Sequence, residues 1–222
     1  MTGIAKRFAL GAAVVTLLLA VAFIVVLLSI PKVSPEAIRT SVTRTPELIE
    51  QAWQLPAAAA FERRLTYQSN PSFCGPASLA NIFRTIGEPA TTESAVLEGT
   101  GKCWIGVCPV GLTLDEVAEV ARMHTKRNVA ILRDLTLEEF REHMRNVNDP
   151  ARRYLVNFDR KSIFAAGAGH HSPIGGYLEA RDLVFVLDVN EDFGPWLIET
   201  PRLYAAMNTM DGDKKRGLLL IE

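Results

Sequence analysis

The chain has 222 residues, 24 Lys and Arg against 25 Asp and Glu, a formal net charge of −1 and 48% hydrophobic residues. Balanced charge without a basic block excludes an electrostatic nucleic-acid partner, and no internal repeat or low-complexity tract is visible. The apolar residues are unevenly spread: Phe8–Ile30 carries no charge and follows Lys6 and Arg7. As a helix this run spans roughly 35 Å, enough for the hydrocarbon core. It reads as a cleaved secretory signal or an uncleaved anchor, and its length and the lack of a clean A-x-A site favour the anchor. Residues 1–30 are therefore expected to be a transmembrane signal-anchor helix, single-pass in an inner membrane. Lys6 and Arg7 nearly balance Lys32, Arg39 and Arg44 across it; the short N-terminal flank stays inside, which puts the rest in the periplasm or outside the cell.

Residues 31–60 read as a juxtamembrane linker with helical pieces, because Ser34-Pro-Glu and Thr45-Pro-Glu are helix starts and an alanine run closes the segment. A compact domain is expected over 61–222. Phe73–Ile86 has apolar residues at helical spacing and Gly87 as a stop, with Cys74 in the first turn. Thr113-Leu-Asp-Glu116 and Thr136-Leu-Glu-Glu139 are capping boxes opening helices to about His124 and Arg145. After residue 150 come short β-like runs, Tyr154–Phe158, Ser172–Leu178, Leu183–Val189 and Gly217–Ile221, with one helix near Thr200–Met207. Helices first and strands later indicate an α+β domain with an antiparallel sheet.

Three segments carry chemistry. A cysteine at a helix N-terminus, as Cys74 is, has its thiolate favoured by the helix dipole. Gln68, six residues upstream, has an amide that can donate to an oxyanion beside the backbone N–H of Cys74, and Gly75 leaves room for substrate. A general base is found among His124, His143, His170 and His171. The first two sit in or at the ends of helices. His170 and His171 enter a strand, where neighbours point to opposite faces, so only one faces Cys74, and the residues alone leave that choice open. Asp188 ends an apolar strand that a turn at Glu179–Asp182 brings back beside His170, as an orienter of the ring. The order Gln, Cys, His, Asp matches a papain-like arrangement, a helical lobe with the nucleophile and a sheet with the base. Cys103 and Cys108 read as a small-loop disulfide in an oxidising compartment, a metal pair or two separate thiols.

These segments resemble the phytochelatin synthase family. Gln68-Ser-Asn-Pro-Ser-Phe-Cys74-Gly-Pro-Ala-Ser-Leu-Ala is similar to its nucleophile segment, Gly169-His170-His171-Ser-Pro-Ile-Gly-Gly-Tyr177 to its histidine segment, and Leu187-Asp188-Val189 to its aspartate segment. Gly111-Leu-Thr-Leu-Asp-Glu resembles a helix start in bacterial members; Ala206–Asp211 with Arg216-Gly217 resembles the end of the catalytic domain. The likeness covers about residues 61–222. It implies a papain-like cysteine peptidase fold, Cys74 as nucleophile, His170 as base, Asp188 as orienter and Gln68 as oxyanion donor. It implies attack on the Cys–Gly amide of glutathione and a γ-Glu-Cys acyl-enzyme, resolved by water or, in phytochelatin synthesis, by a second glutathione. Arg160 matches a basic position and, with Asp211 and Arg216, is a substrate-binding candidate; a structural salt bridge is the competing role for each. No cofactor is implied for hydrolysis, and Cd or Zn would enter as glutathione thiolate complexes.

Where the family has an Arg and basic residues after the aspartate, this chain has Asn190, Glu191 and Asp192. Glu191 repels an anionic acceptor, and no Cys-rich C-terminal region follows, so hydrolysis is expected over transfer. The competing readings are a papain-like peptidase cutting another small or leader peptide, and a non-catalytic membrane-anchored thiol or metal-binding module.

Overall fold

The computed structural model describes residues 13–19, 31–103, 108 and 111–222. The chain divides into two units, Met1–Lys32 and Val33–Glu222. In the first, residues 13–19 are helical. The rest of the expected span Phe8–Ile30 lies outside the described residues, among which no helix is long and apolar enough to cross a membrane.

The second unit opens with three short helices, α1 (Pro35–Ser41), α2 (Pro46–Trp53) and α3 (Pro56–Ala59), each with Pro in its first turn. They do not behave as a linker. Ile38 and Val42 are buried on one side of the sheet and Ala52, Ala57 and Ala58 are buried as well. Thr43 bridges Leu197, and Leu55 covers Gly176, where any Cβ would collide with the leucine side chain. The missing side chain of Gly176 is what lets Leu55 approach the sheet so closely.

Then come α4 (Cys74–Ile86), α5 (Glu93–Leu97), α6 (Leu114–His124), β1 (Val129–Leu132), α7 (Leu137–Asn146), β2 (Arg153–Asp159), α8 (Arg160–Phe164), β3 (Gly169–Leu178), β4 (Leu183–Leu187), β5 (Pro195–Glu199) and α9 (Thr200–Met207). A small β6/β7 hairpin (Met210–Asp211, Lys214–Lys215) and β8 (Leu218–Ile221) finish the unit. Both capping boxes form in full, and Gly87 closes α4 in the left-handed conformation, φ 78°. Six strands build one antiparallel sheet in the order β1-β8-β2-β3-β4-β5.

Helices cover both faces. Leu183, Phe185 and Leu187 of β4 face Leu79, Ile82 and Phe83 of α4 and Val117 of α6; Val184 and Val186 face Phe140, Phe164, Trp196 and Leu203 on the other side. The period-2 alternation of an all-apolar strand thus feeds two cores. The architecture is the expected α+β with an antiparallel sheet, in three layers. The helix α4 lies across β3, pinned where Ser78 Oγ donates to the His171 carbonyl at 3.1 Å. That contact sets the first turn of α4, and Cys74, over the starting end of β3.

Candidate active site

Cys74 is the first residue of α4 and the free cysteine among the described residues. Phe73 gives no side-chain cap, so the first-turn N–H groups keep their pull on an anion. The thiol is buried and packs with Ala77 and Val189. His171 Nδ1 lies 3.6 Å from Cys74 Sγ. His170, the preceding residue, turns Nε2 to Asp188 Oδ1 at 2.9 Å.

The expectation that only one histidine faces Cys74 is corrected. The alternation itself holds: His170 pairs across the sheet with Phe158 and His171 with Asn157, on opposite faces. His171 nevertheless reaches the thiol through Nδ1, and His170 acts on it through its charge. Only His170 has an orienter.

Asp188 is fully buried and fully engaged. Arg160 Nη2 donates to both its oxygens at 2.7 and 2.8 Å, Asn190 N–H at 2.9 Å and Trp196 Nε1 at 3.3 Å. Burial pushes its carboxyl up, but the charges of Arg160 and His170 outweigh that and hold it well below the usual range. Burial and the Arg160 charge pull the His170 imidazole down; Asp188 and the thiol pull it up and win. Burial raises the Cys74 thiol, yet His170 first and then His171 bring it well below its ordinary value. A thiolate beside a carboxylate-held imidazolium can attack an electrophilic carbonyl carbon and return a proton to the leaving group.

A model of the family described as phytochelatin synthase matches residues 29–218. The chain belongs to the phytochelatin synthase family. Its relatives include proteins named glutathione gamma-glutamylcysteinyltransferase. One from Lotus japonicus is 28% identical over 204 residues, 85% of this chain and 43% of the relative. One from Schizosaccharomyces pombe is 24% identical over 173 residues, 72% of this chain and 42% of the relative. The chain thus spans less than half the length of these relatives. Among solved structures, one described as a C39-like peptidase from Bacillus anthracis superposes with TM-score 0.54 at 11% identity, over 73% of this chain and 95% of that one. That likeness is of fold alone and agrees with a papain-like sheet and helix.

The remaining expected site residues of this phytochelatin synthase relative fall into two groups. Gln68 is held beside Cys74, its backbone N–H on the Val189 carbonyl at 2.8 Å and its side-chain Nε2 on the Asn70 carbonyl at 3.0 Å. Its Oε1 is buried without a partner. Asp211 and Arg216 pair at 3.2 Å, and Asn157, the cross-strand neighbour of His171, bonds both. The Arg216 guanidinium occupies the space a Cβ on Gly169 would fill, so this pair borders the histidines. Arg160 is the exception: its Nη2 is spent on Asp188 and its guanidinium stacks 3.7 Å from the Phe193 ring centre. Of its two expected roles, the geometry is that of the salt bridge.

Gly75 also differs from expectation. A Cβ there would lie 2.8 Å from Val117 Cγ2, so its missing side chain serves the packing of α4 on α6. Gly75→Ala should therefore destabilise the fold by about 1–3 kcal/mol in a denaturant melt. Adding Val117→Ala should recover part of that, which a substrate-clearance role would not give.

Sequence reasoning missed the Trp196 and Asn190 donors to Asp188 and the Phe193 platform; only the spacing of Trp196, eight residues after Asp188, hinted at them. It also left Asn70 and Ser72 unread. Ser72 Oγ bonds Asn70 Oδ1 and receives the Cys108 N–H at 3.0 Å, tying the nucleophile segment to the Cys103–Cys108 disulfide. Among the described residues no group of three or more His, Cys, Asp and Glu side chains could hold a metal ion.

Proposed function

We propose that this protein is a cysteine enzyme that cleaves the Cys–Gly amide of glutathione. The observation that carries the reading is Cys74 at the head of α4 beside the His170–His171 pair, with His170 held by Asp188, in a chain of the phytochelatin synthase family. The Cys74 thiolate attacks the cysteinyl carbonyl carbon. The C–N bond breaks, glycine leaves with a proton from His170, and γ-Glu-Cys remains as a thioester on Sγ. Water, deprotonated by His170, attacks the thioester; the C–S bond breaks and the thiolate returns. Gln68 and the Cys74 backbone N–H are the oxyanion donors, and Arg216 with Asp211 borders the substrate. No resident metal takes part in hydrolysis; Cd or Zn enters as the thiolate complex of the substrate.

Hydrolysis is favoured over transfer to a second glutathione because Glu191 and Asp192 are exposed acids in the turn just after Asp188. An anionic acceptor approaching there meets like charge. The apolar run Phe8–Ile30 supports a membrane-anchored protein with its catalytic unit outside the cytoplasm.

The test is a product analysis of the full-length protein with glutathione. Glycine and γ-Glu-Cys in equal amounts are expected, with γ-Glu-Cys oligomers rising several-fold in Glu191→Arg. No glycine release would sink the substrate assignment, and unchanged oligomers in Glu191→Arg would sink the acceptor argument.

A further inference from the structure

We propose that His171 is a second thiolate partner of Cys74, donating from Nδ1 to Sγ so that His170 is left free to carry the proton. The inference rests on the reading of Cys74 as nucleophile but not on glutathione as substrate.

The geometry has three parts. His171 Nδ1 is 3.6 Å from Sγ, within reach of a hydrogen bond to sulfur. His171 is only 3% exposed, and its Nε2 is buried without a partner. An imidazole with one unpartnered nitrogen is best served by the tautomer that puts the proton on the other. A proton on Nε2 would be a buried N–H with nothing to bond, whereas a bare lone pair there costs less. The arrangement therefore selects the Nδ1–H tautomer, whose donor points at the thiolate. His170 differs, since Asp188 Oδ1 partners its Nε2.

The main chain fixes the ring as firmly as the ring fixes the thiol. The His171 carbonyl accepts from Ser78 one turn along α4, and Asn157 stands opposite in β2. The other titratable and charged groups around the two rings are Asp188 and Arg160 behind His170 and the Asp211–Arg216 pair bonded to Asn157 opposite His171. His171 Nδ1 is the ring nitrogen within hydrogen-bond reach of the sulfur. During acylation His170 gives its proton to the leaving glycine, and in the later step it takes one from water. His171 takes part in neither transfer, so its donor is available to the sulfur when the thioester breaks and the thiolate reappears.

The readout is alkylation of Cys74 by iodoacetamide across pH, without reductant so that the Cys103–Cys108 disulfide stays closed. Native protein should react well below the ordinary thiol range. In H171A the acid limb should move up by about one unit, a tenfold smaller thiolate fraction at a given acid pH. H171Q, which keeps an N–H donor of similar reach, should lie between them. H170A should keep a lower limb than H170A/H171A. Coincident limbs for native and H171A would overturn the proposal. If H171A does not fold, nitrogen-15 histidine NMR of native and Cys74→Ala protein decides: a protonated His171 Nδ1 whose resonance moves with Cys74→Ala supports it, and an unprotonated Nδ1 overturns it. None of these measurements uses glutathione, so a failed substrate assignment leaves them interpretable.

Discussion

Cys74→Ala is expected to abolish glycine release from glutathione, by on the order of ten-thousand-fold or more, with the melting temperature nearly unchanged. The size follows from the mechanism: without Sγ there is no acyl-enzyme, and the amide must be attacked by water held only by binding groups. Cys74 contributes little packing that Ala cannot, since its neighbours are Ala77 and Val189. His170→Ala should cost a comparable factor, because the two act as one unit and their losses do not add. Stopped native reactions analysed by mass spectrometry should carry γ-Glu-Cys, less one water, on the peptide containing Cys74. A Cys74→Ala protein that still releases glycine at a tenth of the native rate would remove the nucleophile assignment.

The pH profile tests the same pair. Activity needs a thiolate with a protonated imidazole. It should rise with pH through the depressed Cys74 ionisation and fall through the elevated His170 ionisation, giving a broad plateau whose limbs belong to the coupled pair. Asp188→Asn keeps a ring-orienting group but removes the charge that raises His170, so the alkaline limb should move down while part of kcat survives.

The sequence made some of this legible because the signals are local. A capping box is a four-residue device, so both helices it announces begin where Thr113 and Thr136 place them. Cys74 at the head of α4 and the apolar strand ending at Asp188 follow from equally short patterns. What stayed hidden is set by distant contacts. The α1–α3 segment read as a linker with helical pieces from its two Pro helix starts and closing alanine run; it packs on the domain because Leu55 and Thr43 meet β3 and β5 far along the chain. β1, four residues long, is defined by its pairing with β8 at the far end of the chain. Strand alternation sent His170 and His171 to opposite faces, but could not say that His171 Nδ1 would lie 3.6 Å from the thiol while His170 is held by Asp188. Arg160 beside Asp188 was invisible for the same reason, since their separation of 28 positions is closed only by the sheet.

Arg160→Met is expected to destabilise the folded unit by about 3 kcal/mol, far more than the loss of any exposed ion pair. Arg39–Glu36, on an exposed face of α1, makes a contact just as short at 2.7 Å and should contribute about 1 kcal/mol or less. The difference is burial: Asp188 is 0% exposed, and removing Arg160 leaves a carboxylate in a dry site with weaker compensation. His170, Asn190 and Trp196 still donate to it, which sets the loss at the lower end for a broken buried pair. The pH dependence fixes the sign. In the native protein the Asp188 carboxyl is depressed, so its stabilising contribution is fully present above the unfolded value near 4 and lost only as pH falls through the much lower folded value. In Arg160→Met burial dominates and the carboxyl rises, so acidification neutralises the stranded charge. The stability gap to native should therefore be widest at neutral pH and narrow toward pH 4. Adding Asp188→Asn to Arg160→Met removes the charge and should restore about half of the lost stability, while turnover stays below that of Asp188→Asn alone. Denaturant melts at several pH values measure all three. A gap under about 1 kcal/mol at neutral pH, or one that widens in acid, would show that Arg160 is not what holds Asp188 ionised against His170.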